Sequence, residues 1–215
     1  MKRTILPQNF FERNTLAVAK SLLGKFLVRK YRGKETAYMI TDIEAYHGFE
    51  DKGSHASHGK TVRNAPMFGA PGAWYVYFTY GMHWMLNIVT MKKEYPAAIL
   101  IRGIREISGP APLEKSRPKA AEAARSRRGR SLTGPARLTK KLHIDKKLNG
   151  LPANKKSGLW IEDRGIKISP SAVKRSPRIG IEYAGKVWSK KPWRFTVSNE
   201  LAQSFTSKNQ YVQKR

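Results

Sequence analysis

Asp42, Glu44, Glu50 and Asp51 place four carboxylates within ten residues of a 215-residue chain whose formal net charge is +27. A surface this basic attracts polyanions, and acids near it oppose that attraction, so their presence asks for a chemical role. Tyr46 and His47 follow Glu44 closely, and His55 and His58 come soon after. Next is the ring-rich stretch Trp74-Tyr75-Val76-Tyr77-Phe78-Thr79-Tyr80. A carboxylate activates water and stabilises developing positive charge, and flat rings stack on heterocycles. Carboxylate, imidazole and rings together are what chemistry on a nucleic-acid base requires.

Local patterning suggests how these groups are held. Asn14-Thr15 ahead of Leu16–Leu23 reads as a capped helix stopped by Gly24. Phe26–Val28 and Ala37–Ile43 read as strands. Glu44 then lies at a strand end, with Tyr46 projecting on the same side. The Gly-, His-, Ser- and Pro-rich stretch Gly48–Gly72 reads as a long ordered loop. Trp74–Tyr80 and His83–Thr90 read as a hairpin turning at Tyr80-Gly81-Met82. Ala97–Ile104 reads as a further strand carrying Arg102, with Arg105 just past its end. Residues 114–130 form a basic, alanine-rich segment, either a solvated surface element or a phosphate-binding arm. Apolar residues return at Leu132, Leu138, Leu142 and Ile144, and again at Leu159–Ile161, Arg178–Ile181 and Trp193–Val197, as elements of the same core. The tail after Ser204 is polar.

Composition bounds the reading. The hydrophobic content of 40% argues against wholesale disorder, and no apolar run approaches the roughly 20 residues of a spanning helix. The first residues lack the apolar stretch of a secretory signal. With no cysteine, disulfides and cysteine-ligated metal centres are excluded, and an intracellular location is compatible with this. The balance of 42 basic against 15 acidic residues favours phosphate backbones as partner, over an anionic membrane surface or mere solubility.

Each motif has a plainer alternative. Glu44 beside Tyr46 suits water activation next to a stacked base, but also an ordinary strand-end glutamate with a core tyrosine. His55 and His58 near Glu50 and Asp51 only loosely match a metal site; a histidine as hydrogen-bonding wall fits the spacing better, and no metal or cofactor is expected. Tyr80 at a hairpin turn is placed either to wedge into a duplex or simply to pack. Asn87 on the return strand either caps backbone groups or reads a base edge. Two rival functions remain open: a non-catalytic basic protein that binds RNA or compacts DNA, and an enzyme that uses a lysine as nucleophile.

The ordered succession of strings decides among these. They are "EAYHG" at Glu44–Gly48, "SHAS" at Ser54–Ser57, "RNAPMF" at Arg63–Phe68 and "PGAWYVYFTYGMHWMLNI" at Pro71–Ile88, followed by "ILIRGI" at Ile99–Ile104, "LTGPARLTKKL" at Leu132–Leu142, "RIGIEYAG" at Arg178–Gly185 and "KPWRF" at Lys191–Phe195. From about Phe10 to Val197 the chain resembles the alkyladenine (3-methyladenine) DNA glycosylases of the mammalian alkyladenine glycosylase type. The resemblance implies an α+β fold, a single mixed domain around a curved antiparallel β-sheet with flanking helices. Its span would be residues 10–200, including the basic segment 114–130, between an N-terminal extension (1–9) and a polar tail (201–215). It implies a monomeric, monofunctional enzyme of base excision repair acting on double-stranded DNA that contains damaged purines. Glu44 would activate water for attack on the sugar C1′, and Arg102 would help hold that water. Tyr46, His55 and Tyr77 would surround the flipped base, Asn87 would discriminate against normal purines, and Tyr80 would intercalate.

Overall fold

A computed structural model describes residues 3–107 and 131–197. The basic segment 114–130 and the tail 201–215 lie outside the described residues. The strands are β1 (Thr4–Ile5), β2 (Phe26–Tyr31), β3 (Lys34–His47), β4 (Trp74–Thr79), β5 (His83–Val89), β6 (Ala97–Glu106), β7 (Ser131–Thr133), β8 (Leu159–Asp163), β9 (Val173–Ser176) and β10 (Arg194–Val197). The helices are α1 (Gln8–Phe11), α2 (Thr15–Leu22), α3 (Pro135–Lys141) and α4 (Gly185–Lys190), with short 3-10 turns between elements. The expected α+β fold is what forms: one large sheet in the order β1-β8-β2-β3-β6-β5-β4, with β7 added to β6 and β9-β10 added to β3. All the pairs are antiparallel.

The sheet bends at β3. One edge of this 14-residue strand pairs with β6 along most of its length, while the other edge pairs first with β2 (residues 34–39) and then with β10 (residues 42–44). Between the two halves the β3–β6 ladder breaks register: Ile40 faces Ile104, Asp42 faces Gly103, and Ile43 faces Ile101. Thr41 on β3 and Arg102 on β6 are therefore the residues without a ladder partner. Such bulges kink a strand and re-aim its side chains. Gly103 permits the close approach, because a Cβ there would lie 2.8 Å from the Asp42 Cβ.

α2 begins where the Asn14 side chain accepts from the N–H groups of Leu16 (3.0 Å) and Ala17 (3.4 Å). It buries Val18, Ala19 and Leu22 against the sheet, within one core that also holds Ile40, Ile43, Trp74, Leu86, Ile99, Ile101, Leu138, Leu142, Ile161 and Phe195. The late apolar residues thus join the early ones, as their return in the sequence suggested. Three details differ from the expected pattern. β3 runs from Lys34 to His47, so Glu44 lies inside the strand and not at its end. Arg105 lies inside β6 and is buried, and Ile179 is exposed at a loop instead of joining the core.

Candidate active site

One row of facing residues crosses the sheet: Tyr75 on β4, Asn87 on β5, Leu100 on β6, Glu44 on β3 and Arg194 on β10. Antiparallel registration thus converts residues from 44 to 194 into one line. Beside this line opens a cavity of about 320 Å³, within the size range of small-molecule sites. Tyr46, His55, Tyr77, Tyr80, Asn87 and Arg102 all line it. Six of the seven residues singled out from the sequence therefore meet at one cavity. The seventh, Glu44, is 0% exposed and stands immediately behind the wall.

The Glu44 carboxylate is held at both oxygens. Its Oε2 accepts from the Tyr46 hydroxyl at 3.0 Å and from Arg102 Nη1 at 3.2 Å, and its Oε1 accepts from the Ile179 N–H at 2.8 Å. Burial raises the Glu44 pKa; Arg102, the Ile179 amide and the Tyr46 hydroxyl pull it back, while the neighbouring Asp42 pushes it further up. Asp42 is itself clamped by Arg194, through Nε at 3.0 Å and Nη2 at 2.8 Å. A buried carboxylate with a raised pKa suits a general base. Burial, followed by the charge of Glu44, also drives the Tyr46 hydroxyl well above its ordinary range, so Tyr46 acts as a neutral donor.

The ring wall is equally fixed. The Tyr75 and Tyr77 rings lie 5.2 Å apart, and the His55 ring meets Tyr77 edge-on at 4.5 Å. His55 Nδ1 lies 2.9 Å from the Tyr75 hydroxyl. Burial, aided by the Arg63 cation, lowers the His55 pKa, so the imidazole is neutral near pH 7. Burial pushes Tyr77 up to about 12 and raises Tyr75 as well, which keeps both phenols protonated. Asn87 donates from Nδ2 to the Tyr75 carbonyl at 3.0 Å, leaving its side-chain oxygen without a bond from that partner. Tyr80 is 80% exposed at the hairpin tip. There Tyr80 and Gly81 both have positive φ (51° and 63°), and Met82 N–H returns to the Thr79 carbonyl at 3.2 Å, a type I′ pattern.

Sequence reasoning missed one device, the clamp between Arg178 and Asp51. The two side chains are fully buried and bidentate, with Nη1 to Oδ2 at 2.6 Å and Nη2 to Oδ1 at 2.7 Å. Asp51 also accepts the N–H groups of His47 (3.1 Å) and Gly53 (3.0 Å), and Arg178 lies over the Tyr46 ring at 4.6 Å. Gly53 is required, because a Cβ there would sit 2.8 Å from Arg178 Nη2. The clamp joins the loop bearing the Ile179 amide to the loop bearing His55. The only sequence signal was a carboxylate inside a basic chain, and its partner lies 127 residues away. Glu50, by contrast, is exposed. With Asp51 committed to Arg178 and His55 to Tyr75, the loop offers no metal cage, and no such grouping of three or more ligands occurs among the described residues.

Comparison with known proteins agrees with this arrangement. The family model for methylpurine-DNA glycosylase matches residues 9–201. A protein of Methanocella arvoryzae, named "Putative 3-methyladenine DNA glycosylase", is 42% identical over 198 residues, covering 91% of this chain and 93% of its own length. Proteins of the same name are 40% identical in Carboxydothermus hydrogenoformans, over 98% of this chain and 100% of the relative, and in Streptomyces avermitilis, over 92% and 90%. The chain belongs to the methylpurine-DNA glycosylase family, and its enzyme class is that of the DNA-3-methyladenine glycosylases, which remove alkylated purines in DNA repair.

Proposed function

We propose that this enzyme flips alkylated purines out of duplex DNA and hydrolyses the N-glycosidic bond with Glu44 as general base, acting as a monomer inside the cell and leaving an abasic site. The observation that carries this reading is the row that sets the buried Glu44 carboxylate in register with Asn87 and Tyr75, beside a ring-walled cavity. A base inside a duplex hides its glycosidic bond, so the nucleotide must leave the stack, at a cost of a few kcal/mol that damage lowers. Tyr80 is placed to fill the gap. Tyr46, His55 and Tyr77 receive the base, and Asn87 at the cavity wall tests the edge of the purine.

In the reaction the C1′–N bond breaks and its electrons go to the leaving base. Water, held by Arg102 and the backbone near Glu44, forms the C1′–O bond and yields a proton to the Glu44 carboxylate. The same negative charge stabilises the oxocarbenium sugar that forms on the way. A purine alkylated at N3 or N7 is cationic, stacks favourably on electron-rich rings and leaves as a neutral base without an acid. Hypoxanthine and ethenoadenine, being neutral, need protonation and form the outer edge of the proposed substrate range. Among the described residues no lysine lines the cavity, so water, not an amine, is the nucleophile in this reading.

Single-turnover base release tests it, on duplexes that each carry one defined lesion: 3-methyladenine, 7-methylguanine, hypoxanthine or ethenoadenine. Wild type is expected to release alkylated bases, and Glu44→Gln to lose roughly 10²–10⁴-fold in rate while still binding lesion DNA. Undiminished turnover in Glu44→Gln would remove the carboxylate from the mechanism. A borohydride-trapped covalent DNA complex would favour an amine nucleophile instead.

A further inference from the structure

The β4–β5 hairpin has two differently built faces. Tyr75, Tyr77, Met85 and Asn87 face the base cavity. The alternate residues Phe78 and Trp84 pack on each other at 4.7 Å toward the other side. A second hollow of about 380 Å³ lies there, walled by Trp84, Tyr31, His143 and Lys140, with Met82 and His83 at the hairpin tip. The glycosidic chemistry uses none of these groups.

His143 is the unusual feature of this hollow. It follows α3 with φ at 50°, the left-handed position that closes a helix and is normally filled by glycine. An L-residue there costs about 1–2 kcal/mol. Its exposed imidazole stacks on Tyr31 at 4.5 Å, with the rings 13° from parallel. Arg29 fixes this end of the chain, donating to the carbonyls of Leu142 (3.0 Å) and His143 (3.2 Å), and lies over the Tyr31 ring at 5.3 Å. The hollow is lined by one cation, Lys140, and one carboxylate, Asp145, while the chain segment that borders it is strongly basic. Arg137, Lys140, Lys141, Lys146 and Lys147 stand on residues 135–148 against a single carboxylate, Asp145, which caps the Lys147 N–H at 2.8 Å.

We infer that this hollow is a second DNA-contact site, which holds the phosphodiester backbone of the duplex arm on the flank of the Tyr80 wedge opposite the base cavity. The inference rests on the proposed function, in which the hairpin tip enters the duplex. A tip inserted between base pairs leaves DNA along both of its faces. One face presents the base cavity and the other this hollow, bordered by the basic segment 135–148. Lys140 offers an ammonium, Tyr31 a hydroxyl, and His83 and His143 ring N–H groups, all of them donors that suit phosphate oxygens and fix register without reading sequence.

Equilibrium binding to duplexes bearing a stable abasic analogue tests the site, using wild type, Lys140→Ala and His143→Gly. Glycine suits the left-handed φ, so weaker binding by His143→Gly does not reflect a broken helix end. On a duplex with the analogue at its centre, both variants are expected to bind more weakly, and Lys140→Ala to show a salt dependence shallower by about one unit of slope. Cutting back one particular arm to the lesion should abolish the difference from wild type, while cutting back the other should preserve it. Variants that match wild type, or that lose affinity equally on every duplex, would overturn the inference alone, provided wild type still releases alkylated bases. Failure of wild type to do so would overturn the proposed function, and this site with it.

Discussion

The main-chain N–H of Ile179 donates to Glu44 Oε1 at 2.8 Å across 135 residues of sequence, while Oε2 is shared by Tyr46 and Arg102. Ile179 follows Arg178, which is locked to Asp51. The orientation of the carboxylate is therefore set by three separate segments, the bulged strand β3, the arginine of β6 and the Arg178 loop. This arrangement fixes the direction of several measurable effects.

Under the proposed mechanism, the acidic limb of the pH–rate profile should report Glu44. A general base works only when ionised, so single-turnover release of a cationic lesion should rise with pH through the Glu44 pKa, which burial raises above its ordinary value. The Tyr46 hydroxyl donates to the ionised carboxylate and so lowers that pKa. Tyr46→Phe should move the limb to higher pH as well as slowing the reaction. A limb at the same pH in wild type and Tyr46→Phe would show that this hydrogen bond does not tune the base.

The same burial has a stability consequence of opposite sense to the usual acidic residue. With its folded pKa above the unfolded value, Glu44 binds more protons in the folded state between the two values, so stability falls as pH rises through that window and stays lower above it. Glu44→Gln removes the charge while keeping the shape. Its urea midpoint at pH 7 should exceed that of wild type, and the difference should close below about pH 4, where both states of the wild-type carboxyl are protonated. A lower midpoint at pH 7 would mean that the bonds from Arg102, Ile179 and Tyr46 outweigh desolvation.

Asp51→Asn should be costly for a different reason. Both members of the Asp51–Arg178 pair are 0% exposed at the side chain, so neutralising one leaves a buried guanidinium uncompensated. Breaking such a pair costs about 3–5 kcal/mol. Urea unfolding measures it, and a loss below about 1 kcal/mol would show that water reaches the site. Base release should fall too, because the Ile179 amide and the His55 loop share this anchor.

These relationships mark where the sequence is legible and where it is not. Local signals located the α2 cap at Asn14, the hairpin around Tyr80-Gly81, and the shared face of Glu44 and Tyr46, because each depends on residues within a few positions. Ring and carboxylate types in the right order, together with the family strings, brought six residues to the cavity wall. β3 outruns its sequence pattern at both ends: Lys34–Thr36 are polar and pair only through the β2 turn, and Glu44–His47 continue the strand by pairing with β6. The bulge at Thr41 and Arg102 and the Arg178–Asp51 clamp were invisible, because both arise from tertiary pairing that no periodicity encodes. Ile179 lies outside the core for the same reason: its N–H holds Glu44 and the residue lines the cavity.

Under the proposed function, Tyr80 sets stability against binding at a single position. Its ring is largely exposed and its φ of 51° is one that an L-residue adopts at a cost of about 1–2 kcal/mol. Packing does not offset that cost, since the ring protrudes from the turn. Tyr80→Gly relieves the backbone and gives part of the gain back through the greater freedom of the unfolded chain. Thermal or urea unfolding should therefore show a variant at least as stable as wild type, by up to about 1 kcal/mol. Binding to lesion duplex should weaken and single-turnover release should slow, because nothing then fills the space left by the extruded nucleotide. A fluorescent base placed opposite or beside the lesion separates the two effects by reporting extrusion directly. Extrusion unchanged in Tyr80→Gly would assign the ring to a surface role and move the wedge elsewhere on the hairpin, whereas loss of extrusion with retained or increased stability would identify the strained turn as the feature that opens the duplex.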